Sequence, residues 1–292
     1  MPPASETERK TEPASLQPEK RESTFAIDVA KLAGGTTLAQ ILTVLVAPIL
    51  ARLYEPSAFG TAAVFASLAT VIGVVACLRY EQAVMLPERD KDAANLLAIC
   101  VLSALAVSGA TVVLVLLGRS PIVGLLRAPD LASYMWLLPL VVLTNGIFVA
   151  LSYWNSRTKR FGRLSIAGVS RAFVTSGSQL AMGVTGSAHA GALIGSRALG
   201  SAITMIVLGG QTWRDDRGIL KRSIAWQGMI AGFKRYRKFP LYGTWSALLN
   251  SISWQLPTFL LSVFFSSAVV GYYALGTRLL RMPMSLVGSA IA

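Results

Sequence analysis

Long apolar runs dominate the chain, and each has the length that a helix needs to cross a lipid bilayer. A hydrocarbon core about 30 Å thick takes roughly 20 apolar residues, and only a helix satisfies its own backbone hydrogen bonds there. The first six runs are 29–53, 58–78, 93–118, 131–156, 164–186 and 188–211. With the apolar stretch that follows, they predict an all-α, polytopic membrane helical bundle of about eight transmembrane helices.

The last apolar stretch is too long for one helix, because residues 239–277 carry no charge. We divide it at the turn-like pair Ser266 and Ser267, which predicts a seventh helix and an eighth that reaches Ala292. The chain then consists of a disordered cytoplasmic tail (1–24), a six-helix lobe (25–211), a basic amphipathic cytoplasmic linker (212–238) and the first two helices of a second lobe (239–292). Alternating apolar and basic residues make the linker a candidate interfacial segment, and a solvated linker is an equally good interpretation.

Composition and charge favour a lipid environment. Hydrophobic residues make up 53% of the 292 positions and charged residues 14%, which is more apolar surface than one soluble core of this length buries. A formal net charge of +13 would favour a nucleic-acid partner in a soluble protein. Here the basic residues cluster in short segments between the apolar runs, so we expect no nucleic-acid partner.

The distribution of basic residues also predicts the orientation, because Lys and Arg are retained on the cytoplasmic side of a membrane. With the N-terminus in the cytoplasm, nearly all basic residues outside the helices lie on that side. Only Arg52, Arg119 and Arg127 lie on the other. We therefore predict a multi-pass protein of the bacterial cytoplasmic (inner) membrane with a cytoplasmic N-terminus.

Four arginines lie inside predicted helices, namely Arg171, Arg197, Arg278 and Arg281. An arginine at mid-bilayer costs a few kcal/mol or more unless it faces a partner or a watery cavity. All 14 carboxylates fall in the tail, the loops or the helix ends, so none is available at that depth. Guanidinium groups match phosphate oxygens, which predicts a central cavity for an anionic substrate such as a phosphate or pyrophosphate. Alternatively, each arginine bonds backbone carbonyls between helices or an acid from a missing second lobe.

The same lack of acids argues against an enzyme, since general acid–base catalysis needs a positioned carboxylate or histidine. His189, the one histidine, is expected at a helix end as an interfacial residue. Cys77 and Cys100 have no metal-type spacing. We predict no enzymatic activity, no metal and no cofactor.

Prolines inside the apolar runs are candidate helix kinks, namely Pro48, Pro139, Pro257 and Pro283. Pro48 and Gly60 occupy nearly the same places in the first two helices as Pro257 and Gly271 in the last two. This echo predicts that the seventh helix begins a second copy of the six-helix unit. We therefore expect a truncated product or a fragment of a two-lobe protein.

Two stretches of the sequence resemble a known family. They are VLVAPILARLYEPSAFGTAAVF (44–65), and YRKFPLYGTWSALLNSISWQLP (236–257) followed by VVGYYALGTRLLRMPMSLVGSAIA (269–292). Both are similar to bacterial polysaccharide flippases of the multidrug/oligosaccharidyl-lipid/polysaccharide exporter superfamily. The resemblance implies two lobes of about six helices around a central cavity, alternating access and cationic cavity residues.

The function that this resemblance implies is translocation of undecaprenyl-pyrophosphate-linked oligosaccharide repeat units across the membrane, for cell-surface polysaccharides such as O-antigen or exopolysaccharide. Expected partners are the lipid bilayer, the lipid-linked anionic oligosaccharide, and a polysaccharide polymerase or export machinery. Three alternatives stay open: a cation-coupled multidrug exporter of the same superfamily, a membrane-bound glycosyltransferase or polymerase, and an inactive fragment.

Overall fold

A computed structural model describes the backbone of residues 17–291 and the side chains of residues 34–280. Helices and the turns between them make up all of this range, and no strand occurs within it. The helices are α1 (Gln17–Leu53), α2 (Pro56–Gly73), α3 (Tyr80–Ala83), α4 (Asp90–Leu125), a 3-10 helix (Pro129–Leu137), α5 (Leu138–Arg157), α6 (Phe161–Val184), α7 (Ala190–Ser223), α8 (Trp226–Arg235), a π-helical turn (Phe239–Gly243), α9 (Thr244–Phe264) and α10 (Ser267–Ile291). The predicted all-α bundle is confirmed.

Six helical segments among the described residues are long and apolar enough to cross a membrane: Gly34–Leu53, Pro56–Gly73, Asp90–Leu125, Pro129–Arg157, Ala190–Ser223 and Phe239–Phe264. The 24 residues of α6 also span about 36 Å at 1.5 Å each. Its polar Ser, Gln and Arg side chains lower its mean hydropathy. Several of these side chains line the cavity described below. The side chains of α10 are described only up to residue 280, which leaves too short a segment for the same comparison.

Polarity along α4 is inverted relative to a soluble protein. In its second half leucines point outward, with Leu116 59% and Leu117 79% exposed, whereas Ser103, Ser108 and Thr111 are buried. The Ser108 hydroxyl donates to the carbonyl oxygen of Pro139 on α5, at 2.9 Å. Apolar side chains outside and small hydrogen-bonded residues between helices are typical of a bundle packed in lipid.

Several predicted boundaries are wrong. Helix α1 begins at Gln17, inside the predicted tail (1–24), since Pro18 fits a first helical turn and charged helix formers follow it. Helix α2 ends at Gly73 rather than at residue 78, and the chain then turns through positive φ angles of 50° at Leu78 and 63° at Arg79. The predicted split at Ser266 and Ser267 is confirmed, because α9 ends at Phe264 and α10 begins at Ser267.

The two ends of the bundle differ. We call the end formed by loops 54–55, 126–128, 185–189 and 265–266 the short-loop end, and the end formed by segments 74–89, 158–160 and 224–238 the basic end. At the short-loop end, the Tyr54 hydroxyl donates to the carbonyl oxygen of Gln179 at 2.7 Å. The Ser262 hydroxyl donates to the carbonyl oxygen of Leu126 at 2.6 Å. The largest buried apolar cluster, which includes Leu50, lies toward this end.

Helices α2 and α10 cross at two glycines, the pair that the sequence placed at equivalent positions. A Cβ atom added at Gly60 would fall on the carbonyl oxygen of Ser267, and one added at Gly271 would fall on that of Pro56. Each glycine thus packs against a carbonyl oxygen of the other helix, and that carbonyl lies one helical turn before the other helix's glycine. Reciprocal contacts of this kind are expected around a local two-fold axis. Such close helix packing requires residues without side chains.

A buried ion network joins α5, α6 and α7 at the basic end. Arg163 lies 3.1 Å from Asp216 and 2.7 Å from Asp215, and Arg160 lies 3.2 Å from Asp216. The Trp154 indole N–H also donates to the Asp216 carboxylate, at 3.2 Å. These contacts lie where α7 continues as a helix to Ser223, through the first part of the predicted linker (212–238).

Candidate functional site

A cavity of about 740 Å³ lies between α1, α2, α5, α6, α7, α9 and α10. Toward the short-loop end its lining stops at Phe59, Gln179 and Leu193, and toward the basic end it reaches Thr36 and Thr70. At the short-loop boundary of this lining, Gly60 packs against α10 next to Phe59, and the Tyr54 hydroxyl donates to the backbone of Gln179. Close helix packing therefore borders the cavity at that end.

Three of the four predicted site arginines line this one cavity. Arg171 comes from α6, Arg197 from α7 and Arg278 from α10. At 1.5 Å per residue, Arg197 lies about 10 Å and Arg278 about 16 Å from the first residues of their helices at the short-loop end, and Arg171 about 20 Å from the last residue of α6. The three therefore lie within the depth of a membrane core. The side chain of Arg281 lies outside the described residues.

The three guanidinium groups differ in their partners. Arg171 donates to the side-chain oxygen of Asn145 at 3.1 Å, and its guanidinium carbon lies 5.8 Å from the centre of the Phe148 ring. Neither Arg197 nor Arg278 has a hydrogen bond or ion pair within the described part of the chain, and Arg197 is exposed where it lines the cavity. Capping by backbone carbonyls, the alternative interpretation, does not describe these two side chains.

No aspartate or glutamate lines the cavity among the described residues. The Arg278 and Arg171 charges lie near enough to Arg197 for the charges to interact. Like charges in a site of low dielectric repel each other strongly, and an anion that bonded several guanidinium groups at once would relieve this repulsion. Each guanidinium offers five N–H donors in a planar fork.

Neutral amide side chains complete the polar lining, and the sequence analysis missed them. They are Gln40 on α1, Asn145 on α5, Gln179 on α6 and Gln255 on α9. A search for charged residues within apolar runs does not find them. Their signal in the sequence was the amide group itself, because an amide within a membrane helix also needs a hydrogen-bond partner.

The prolines that the sequence predicts as helix kinks differ in where they lie within their helices. Pro48 and Pro257 lie inside α1 and α9. Pro139 instead lies in the first turn of α5, where the missing N–H would have no helical partner, so it begins a helix rather than interrupting one. The side chain of Pro283 lies outside the described residues.

The remaining candidate residues have structural surroundings. His189 is the N-cap of α7, where its Nδ1 atom accepts a hydrogen bond from the Ala192 N–H at 3.2 Å. Cys77 and Cys100 are buried and free. Among the described residues, no group of three His, Cys, Asp or Glu side chains is placed to hold a metal ion.

Glu81, in α3 at the basic end, is a buried carboxylate with one oxygen unpartnered. Burial raises the pKa of Glu81, and this effect exceeds the opposing effect of Arg79, 3.4 Å away. A carboxyl whose pKa is higher in the folded state binds protons more readily when folded, so stability falls as pH rises from the ordinary value through the raised one.

We expect Glu81→Gln to remove this pH dependence. The thermal midpoint of the purified chain in detergent should fall less between pH 5 and pH 8 for Glu81→Gln than for the wild type. Glu88→Gln, a change in the loop before α4, is the control and should behave like the wild type. A wild-type midpoint that rises across this range, or an unaltered profile for Glu81→Gln, would contradict the assignment.

The inverted polarity and the membrane-length helices together define a multi-pass membrane protein, and its described residues enclose a cavity lined by three arginines. The chain belongs to a family described as polysaccharide biosynthesis protein, whose model matches residues 49–292. No curated protein and no solved structure matches the chain. The match confirms the predicted link to polysaccharides, and the protein has a role in polysaccharide biosynthesis.

Proposed function

We propose that this protein moves undecaprenyl-pyrophosphate-linked oligosaccharide repeat units across the bacterial inner membrane, from the cytoplasmic to the periplasmic leaflet. The observation that carries the proposal is the convergence of Arg171, Arg197 and Arg278 on one cavity whose described lining has no carboxylate. A pyrophosphate has the charge and the oxygen acceptors to pair with guanidinium groups.

The dimensions of the cavity support binding of the headgroup. About 740 Å³ lies within the usual 300–1,000 Å³ range of ligand pockets. A pyrophosphate with its first sugars fits a volume of this order. The polyprenyl tail stays among the lipid acyl chains, which keep its CH₂ groups out of water.

The orientation follows from the positive-inside rule. We place the basic end in the cytoplasm, because the ion network and the linker lie there. The cavity lining extends along α1 and α2 toward that end, as far as Thr36 and Thr70, which supports loading of the site from the cytoplasm. After release on the other side, the repeat unit would pass to a polysaccharide polymerase or export machinery.

Two rival functions fit the cavity less well. A multidrug exporter that binds cationic drugs would need acidic or neutral cavity residues, whereas three guanidinium groups repel a cation. A membrane glycosyltransferase or polymerase would need a carboxylate at the reacting centre, and the described lining offers none. We therefore propose transport without bond-making chemistry.

The test compares Arg197→Ala and Arg278→Ala with a matched control on α7, Arg217→Ala, whose side chain is exposed outside the cavity. Cells that lack the gene should retain labelled lipid-linked repeat units in the cytoplasmic leaflet, and the wild-type chain should restore their movement. Loss of a charge-assisted hydrogen bond is worth about 1.5–3 kcal/mol, so each cavity variant should lower the transport rate roughly 10- to 100-fold.

Arg217→Ala should transport at the wild-type rate. An unchanged leaflet distribution in cells without the gene would contradict the proposal and favour an inactive fragment or another role. Equal rates for Arg197→Ala, Arg278→Ala and wild type would show that the cavity arginines do not hold the substrate.

A further inference from the structure

The cavity contains two chemically different sets of polar groups. The cationic set is Arg171, Arg197 and Arg278, on α6, α7 and α10. The neutral set is Gln40 on α1, Ser67 on α2 and Gln255 on α9. By helical rise, Gln40 lies about 20 Å and Ser67 about 16 Å from the short-loop ends of their helices, the same depths as Arg171 and Arg278. A headgroup held by the cationic set would therefore also face the neutral set.

The side-chain oxygen of Gln40 is buried and has no hydrogen-bond partner among the described residues. Buried polar atoms in folded proteins are nearly always hydrogen-bonded, and because Gln40 lines the cavity, a donor on a cavity ligand would satisfy this oxygen after a small rotation of the amide. An ionised phosphate oxygen only accepts hydrogen bonds and does not meet that need. A hydroxyl group does, because it donates one hydrogen bond and accepts others.

Gln255 has a fixed orientation that complements Gln40. Its side-chain oxygen accepts a hydrogen bond from the Ser67 hydroxyl at 3.0 Å, across the α2–α9 contact. The amide nitrogen of Gln255, with its two N–H donors, is left for a ligand at the cavity surface. One acceptor on Gln40 and donors on Gln255 match a group that both donates and accepts.

We propose that Gln40 and Gln255 bind sugar hydroxyl groups of the headgroup, with Ser67 as the positioning residue for Gln255. The inference rests on the proposed function and extends it. The arginines bind the pyrophosphate that all substrates share, and the neutral set distinguishes a glycosylated lipid from a bare lipid pyrophosphate. The cavity thereby binds the glycosylated lipid more tightly than the bare lipid pyrophosphate.

The experiment measures binding to the purified full chain in nanodiscs with three probes. These are undecaprenol, undecaprenyl pyrophosphate and the lipid-linked saccharides extracted from cells that lack the gene. The variants are Gln40→Met and Gln255→Met, which keep side-chain length and remove the amide. Gln211→Met is the matched control, because the Gln211 oxygen is also buried without a partner but lies outside the cavity lining.

Loss of one neutral hydrogen bond changes affinity by roughly 2- to 10-fold. Gln40→Met and Gln255→Met should therefore each weaken binding of the saccharide lipid about fivefold and leave undecaprenyl pyrophosphate within about twofold of wild type. Gln211→Met should change neither affinity. Arg278→Ala should weaken both pyrophosphate probes alike.

Two outcomes would overturn the inference: an equal loss for both pyrophosphate probes in Gln40→Met, or unchanged affinity for the saccharide lipid. The second would mean that water satisfies the Gln40 oxygen. Failure of the proposed function looks different, because the wild-type chain would then bind undecaprenyl pyrophosphate no better than undecaprenol.

Discussion

Replacing Gly271 by alanine should separate α2 from α10 and lower the stability of the bundle by about 1–3 kcal/mol, the usual cost of overpacking. The added Cβ would fall on the carbonyl oxygen of Pro56. That oxygen belongs to the backbone and has no rotamer by which to move away, so the helices themselves must shift. The thermal midpoint of the purified chain in detergent measures the effect.

Gly276→Ala on the same helix is the control, since a Cβ atom there would meet nothing within 4 Å. It should be neutral or slightly stabilising, because alanine has a higher helix propensity than glycine. If Gly271→Ala were as stable as Gly276→Ala, the close crossing of α2 and α10 would be wrong.

The reciprocal substitution provides a second measurement of the same contact. Gly60→Ala should destabilise the chain like Gly271→Ala, whereas Gly73→Ala, also on α2 and also in open space, should not. Once one substitution has separated the helices, the other has less to disturb. The double variant should therefore lose less stability than the sum of the two single losses, as expected for residues that share one contact.

The second large effect is expected for Asp216→Ala in the ion network of α5, α6 and α7. The Asp216 side chain is 3% exposed and pairs with Arg163 at 3.1 Å, and the Arg163 side chain is itself only 10% exposed. Removing one partner of a buried pair costs up to about 3–5 kcal/mol, and because Arg163 keeps its contact with Asp215 at 2.7 Å, we expect a loss toward the lower end of that range. The Trp154 N–H would lose its acceptor as well.

The neighbouring residue provides a matched control. Asp215 also contacts Arg163, but its side chain is 44% exposed, and ion pairs at such positions contribute about 0–1 kcal/mol. Asp215→Ala should therefore lower the thermal midpoint far less than Asp216→Ala. Similar losses for the two variants would show that burial at Asp216 does not control the strength of the network.

Sequence patterns predicted the helices well because membrane insertion is governed by length and hydropathy, which are local properties. They also placed Arg171, Arg197 and Arg278 at depth, because the rise per residue converts position in a helix into distance from its end. The boundaries were less accurate. Helix α2 ends at Gly73, five residues before the positive φ angles at Leu78 and Arg79. Helix α7 extends far enough for Asp215 and Asp216 to pair with Arg163.

The depth of a residue in a helix does not specify which way its side chain points. The composition of the cavity lining depends on that direction. Only the packing of seven helices shows that three arginines from α6, α7 and α10 line one cavity. Whether they bind substrate stays a prediction. Likewise, Gln40 became a candidate only when its burial and its lack of a partner among the described residues were known.

The sequence by itself determined that this is a helical membrane protein with cations and no acids at mid-depth, and it revealed the family, because hydropathy, charge and motifs are written along the chain. The tertiary structure decided which side chains meet. Gly60 and Gly271 are far apart in sequence, and their contact depends on how two helices cross. Such pairings are set by the relative rotation and tilt of the helices, which local sequence does not encode.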